Sequence, residues 1–176
     1  MMKQVITILA FLLFSQNLFS KELQIYQDKK LVKTFKAEEW KKEMMSKEEK
    51  GTFLSKELFN IHRREKHTYE GFSLIEVLEK SIGKKWKENK KIRFFAKDGV
   101  VKEALVKDMI KGMSKHTGII SIRNKGKKEL DLFVKGINTI YPGPFYLVWS
   151  GFSEDDFSGG AFKWPYHLSK IVLISK

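Results

Sequence analysis

The sequence predicts an α+β fold, a mixed or antiparallel sheet with two or three helices. Three observations predict it. Short apolar runs of strand length recur along the chain and are punctuated by Asp-Gly and Asn-Lys-Gly turns. One segment, Leu74–Ile82, has its apolar residues at helical spacing. No internal repeat, low-complexity tract or linker divides the chain, and strands outnumber helices.

Met1–Ser20 reads as a secretory leader. Lys3 gives the positive start, Val5–Phe14 is an uncharged apolar run, and Ser15-Gln16-Asn17 turns polar before the small Ser20. The run is too short to cross a bilayer core, which takes about 20 apolar residues. Residues 21–176 are then expected to form a single domain. Leu23–Phe35 reads as a hairpin, with Leu23, Ile25, Leu31 and Phe35 as apolar alternates and its turn at Gln27-Asp28-Lys29-Lys30. Ala37–Lys50 is helix-prone, with Trp40 and Met44 on one side. Thr52–Phe59 fits neither template. Thr68-Tyr69 is a short extended piece that Gly71 is expected to break. Ser73-Leu74-Ile75-Glu76 then fits the S-x-x-E capping box, in which serine and glutamate satisfy backbone donors reciprocally. Leu74, Ile75, Leu78 and Ile82 form the buried stripe, and Gly83 ends the helix.

Ile92–Val106 reads as strand, turn, strand about Lys97-Asp98-Gly99. Asp108–Met113 is a short helix and Gly118–Ile122 a buried strand. Asn124-Lys125-Gly126 turns the chain into a strand at Leu130–Val134. Tyr141-Pro142-Gly143-Pro144 makes a stiff bend before Phe145–Trp149, a run of high β propensity. A glycine-bearing acidic loop, 151–160, leads to Trp164-Pro165-Tyr166-His167 and a last strand, Ile171–Ile174.

Composition limits the chemistry. The chain has 176 residues, 42% of them hydrophobic and 13% aromatic, enough for a core without staples. It has no cysteine, which rules out disulfides, thiolate-bound iron–sulfur clusters, covalent c-type haem and a thiolate nucleophile. The formal net charge is +13. Such a surface attracts acidic lipid, polyanionic polymers or acidic proteins. The arginines are only Arg63, Arg64, Arg93 and Arg123, so the excess is mostly lysine. A lysine coat lacks the planar fork suited to phosphate recognition, and nucleic acid is not the expected partner. No second apolar run is long enough to span a bilayer, so an integral membrane protein is not expected. Without a lipobox cysteine behind the leader, the expected location is the periplasm or the exterior.

A set of landmarks from His67 onward resembles the molybdopterin-binding domain of the sulfite-oxidase type. They are Tyr69-Glu70-Gly71-Phe72-Ser73-Leu74 leading into the helix with Leu78, then Phe95-Ala96-Lys97-Asp98-Gly99, then Gly143-Pro144-Phe145-Tyr146-Leu147-Val148-Trp149, then Trp164-Pro165-Tyr166. The last two resemble small exported versions of that domain, some of them beside or fused to cytochromes. The resemblance implies that family's fold and a pocket in its position. It implies a molybdopterin cofactor only in part, because the family's enzymes bind molybdenum through a cysteine thiolate that this chain lacks. The oxidase activity is therefore not carried over, and no cofactor is expected.

Candidate residues each carry two readings. Tyr69 and Gly71 line a pocket mouth, or Gly71 permits a turn into the helix. Gly143 and Pro144 bring backbone groups near a ligand, or form a rigid corner. Trp149, Trp164 and Tyr166 flank the acidic loop (Glu154, Asp155, Asp156, Gly159, Gly160) and frame a groove, or they pack in the core. The acids lack the D-x-[DN]-x-[DN]-G spacing of a calcium loop. His62, His67, His116 and His167 have no zinc-site spacing, and no metal site is expected. His167, beside Trp164 and Tyr166, is the candidate titrating group. The leading expectation is a non-catalytic exported binding or accessory module of envelope redox systems, whose partner is a redox protein or cytochrome. Two alternatives are an oxidoreductase holding a pterin or metal through other ligands, and a cationic module for anionic surfaces.

Overall fold

The computed structural model describes residues 21–48, 53–153 and 164–175. The expected leader, the acidic loop Glu154–Gly160 and the side chain of Met44 lie outside the described residues. Within them the fold is α+β, with three helices and sheets that are mixed or antiparallel.

The first hairpin pairs β1 (Glu22–Gln27) with β2 (Lys30–Lys36). Leu23, Ile25 and Phe35 point into the core. Leu31 does not: it is 46% exposed. The pairing slips between Ile25 and Tyr26, so Leu31 sits opposite Tyr26 rather than on the inner face. Helix α1 (Ala37–Glu48) starts with Glu38 and Glu39, whose charges suit its N-terminal dipole. Trp40 anchors it, with its ring 4.6 Å from that of Phe72, 5.0 Å from Phe35 and 5.4 Å from Phe145.

The run that fitted no template is β3 (Leu54–Asn60), paired with β4 (Glu65–Ser73). Gly71 does not break β4; the strand runs through it. The capping box does not form either. Ser73 is the N-cap of α2 (Leu74–Ile82) but its side chain makes no cap hydrogen bond. Ser73 is still in register with Ile119, so the sheet ladder fixes its backbone, and Glu76 pairs with Lys80 at 3.2 Å. Leu74, Val77 and Leu78 are buried, and Gly83 ends the helix at φ 67°. A 3₁₀ turn (Gly83–Glu88) buries Trp86 and leads to β5 (Lys91–Ala96). The Asp98-Gly99 turn then reverses the chain into β6 (Val101–Leu105), with Asp98 Oδ1 accepting from Val100 N at 3.1 Å.

Helix α3 (Val106–Gly112) precedes β7 (Gly118–Asn124). The strand expected at Leu130–Val134 shrinks to β8 (Phe133–Lys135), which pairs only with β9 (Asn138–Ile140). The chain closes with β10 (Tyr146–Trp149) and β11 (Leu168–Ile174).

One sheet has the order β2-β1-β11-β5-β6, in which β1 and β11 are parallel and the other pairs antiparallel. The second, β10-β7-β4-β3, is antiparallel throughout. Inner-face residues of both, such as Ile25, Phe94, Ile171, Ile120 and Leu147, join those of the helices in one apolar core. Among the described residues no helix is long and apolar enough to cross a membrane.

Candidate functional site

The turn between β3 and β4 is built by Asn60. Its Oδ1 accepts from the backbone N–H of His62 at 2.9 Å and of Arg63 at 3.1 Å. Its Nδ2 donates to Tyr69 Oη at 2.6 Å and Tyr146 Oη at 3.0 Å. Asn60 is fully buried, and so are both phenols. This group is therefore a satisfied polar node in the core that fixes the turn carrying His62. Tyr69, expected at a pocket mouth, is 1% exposed and belongs to this node because its partner lies across the β3–β4 hairpin.

Burial pushes the Tyr69 phenol up to about 12, and it raises Tyr146 well above its ordinary value. The folded chain thus keeps protons that the unfolded chain releases above pH about 10. The stability these groups contribute is complete below that pH and is lost as pH rises through the folded values. Each tyrosine is expected to steepen the alkaline fall by about 1.4 kcal/mol per pH unit. Urea unfolding from pH 9 to 11.5 should show a shallower fall in Tyr69→Phe than in the parent; parallel curves would place the titration elsewhere.

His62 faces the segment before β11. Its Nε2 lies 3.2 Å from Trp164 O, and its ring is edge-on to Trp164 at 6.4 Å and to Tyr166 at 6.2 Å. These three, with Ala96, Val100, Asp98, Lys102 and Pro165, line a cleft of about 120 Å³. Phe133 extends the aromatic cluster 5.8 Å from Tyr166, and Phe152 extends it 5.6 Å from Trp164. The cleft thus offers aromatic walls with one acid and one base at its rim. That chemistry suits holding an amphipathic group.

The other candidates are not among its lining residues, although His167 adjoins Tyr166. His167 sits at φ 53°, with its N–H on Pro142 O at 2.8 Å and its ring 5.5 Å from Tyr166. Burial holds its imidazole below the usual range. Gly143 lets Tyr141 pack close: a Cβ there would meet Tyr141 Oη at 2.7 Å. The Gly143–Pro144 peptide is cis. Pro144 and Tyr141 line a second cleft of about 260 Å³ with Lys21, Glu38, Lys41 and Glu129. Trp149 is fully buried, its ring lying where a Cβ on Gly118 would stand 2.8 Å away. It packs in the core. Gly71 faces the backbone of β7 and no ligand space.

Two of the expected residues, Trp164 and Tyr166, therefore meet at one cleft. A hairpin carries His62 and His67, and its turn delivers His62 to the cleft. Among the described residues no three His, Asp or Glu side chains are placed to hold a metal. The resemblance-implied molybdopterin does not fit this cleft, because the chain has no thiolate and the space is below the roughly 300–1,000 Å³ of ordinary cofactor sites. No protein-family model matches the chain, and no curated protein matches it.

Proposed function

We propose that this chain is an exported accessory domain that binds a partner protein through the His62–Trp164–Tyr166 cleft and has no cofactor chemistry of its own. The observation that carries the reading is the cleft itself: aromatic walls, an acid and a base at the rim, and a volume suited to a side chain. The landmark order, with its sulfite-oxidase-like pattern, supports a partner among envelope redox proteins, and the leader-like Met1–Ser20 supports a place in the periplasm or exterior.

The test is photo-crosslinking in the native host with benzoylphenylalanine at position 166 and, as a control, at the exposed Lys30. The expected result is a crosslink to a haem- or metal-bearing envelope protein from position 166 alone. The same products from both positions, or a partner with no redox centre, would sink it. Elemental and pterin analysis of the purified chain is the second arm. Stoichiometric metal with pterin would replace this reading with an oxidoreductase that uses non-cysteine ligands.

A further inference from the structure

The β8–β9 hairpin belongs to neither large sheet. Its inner side is clamped: Arg63 donates to Asp131 O at 3.3 Å and to Leu132 O at 3.2 Å, and its guanidinium carbon lies 5.7 Å from the Phe133 ring. Its outer side and tip carry exposed apolar groups. Leu132 is 57% exposed, Val134 67% and Ile137 100%. The register pairs Val134 with Thr139 and Lys135 with Asn138, so Ile137 stands at the turn beside Gly136, at φ 63°. Exposed aliphatic side chains gathered on one small hairpin are the pattern of an interaction surface.

Three lysines precede the hairpin in sequence, with the acids Glu129 and Asp131 between them and Leu132. Lys125, Lys127 and Lys128 are exposed on the preceding turn, and none forms an ion pair with a described residue. The nearest acid in sequence, Glu129, is turned to Lys41 at 3.8 Å and to Tyr141 at 3.2 Å.

We propose that this hairpin docks the protein on an anionic lipid surface, with Leu132, Val134 and Ile137 entering the interface and the three lysines meeting the headgroups. Two further observations favour lipid over a second copy of the chain. A stable protein interface needs about 20–30 residues a side, and three protruding side chains on three-residue strands fall short of that. Self-association would also bring the same lysines together. A bilayer needs no matching pocket, and apolar insertion and headgroup attraction add there. Because Phe133 reaches Tyr166 at 5.8 Å, docking would hold the aromatic cleft beside the membrane.

The test is cosedimentation of the purified chain with vesicles of phosphatidylglycerol in phosphatidylcholine, against pure phosphatidylcholine. Binding is expected on the anionic vesicles only and should fall as salt rises through the physiological range. Ile137→Asp should lower the partition coefficient at least about tenfold. Changing Lys125, Lys127 and Lys128 to Gln should lower it about a hundredfold, near fivefold for each charge. Leu31→Asp, on β2 of the five-stranded sheet and 46% exposed, should leave it unchanged. Equal loss in Ile137→Asp and Leu31→Asp, or none in Ile137→Asp, would reduce the effect to a general lysine coat. Absence of anionic binding would end the proposal, and so would a dimer in sedimentation velocity that Ile137→Asp abolishes.

Discussion

Gly71→Ala should destabilise the protein by about 3 kcal/mol or more and lower its melting temperature by about 10 °C. The cause is space and not backbone conformation. A Cβ at position 71 would lie 2.2 Å from Ile120 O and 2.7 Å from Ser121 Cα, both backbone atoms of β7. β7 cannot withdraw easily, since it is hydrogen-bonded to β4 on one side and β10 on the other. The register explains the closeness. Glu70 pairs with Arg123 but Gly71 with Ser121, so β7 carries one extra residue between the two pairs. The strands are pulled together just past this irregularity, as expected where a bulge sharpens local twist. Gly99→Ala is the matched control. Gly99 sits at φ 86° with nothing within 4 Å of its would-be Cβ, so only conformational strain of about 1–2 kcal/mol is at stake. Thermal melts of the two variants should differ by several degrees. Equal shifts would mean that β4 and β7 can part at little cost, and that the close approach does not hold the sheet.

That contact shows where sequence reading stops. The apolar stripe of α2, the Asp98-Gly99 reversal and the β10 run are local patterns, so they are legible and they form as expected. Gly71 also looked like punctuation, because a glycine before a helix usually is. Its real constraint comes from Ile120, almost fifty positions on. The capping box failed for the same reason: Ser73 answers to a ladder partner, Ile119, that no local motif reveals. Leu31 and the Leu130–Val134 run show the complementary limit. Alternation marks which residues share a face but does not show whether anything covers that face, and β8 has only β9 beside it. At the cleft, Trp164 and Tyr166 were visible as aromatics beside a turn. Asn60 was not, because its role needs Tyr69 nine positions away and Tyr146 eighty-six away. Nothing local distinguishes such an asparagine from a surface one.

Arg123→Met is the second large effect expected, at about 3–5 kcal/mol. Arg123 Nε lies 2.6 Å from Glu70 Oε2, and the Glu70 side chain is only 4% exposed. Ser55 Oγ donates to its other oxygen at 3.2 Å. Removing the guanidinium leaves a carboxylate in the sheet with one neutral donor, and the loss is mostly the desolvation of that stranded charge. The reverse change should cost less. Glu70→Gln leaves a neutral amide that still accepts from Ser55, and it leaves an arginine whose side chain is 20% exposed and can reach water. The double variant Glu70→Met/Arg123→Met removes both charges and should recover most of the loss, since a buried pair often does no better than an apolar replacement. Urea unfolding of Arg123→Met, Glu70→Met and the double variant forms a double-mutant cycle with a coupling of about 2 kcal/mol or more. The position of the pair gives the cycle a further use. Glu70 and Arg123 are the last residues in register before the step that brings Gly71 onto β7. If the pair sets that register, the apolar double variant should be stable yet more tolerant of Gly71→Ala than the parent, because the strands would be free to separate. If Gly71→Ala costs the same in both backgrounds, core packing alone holds the register and the pair is only a satisfied charge.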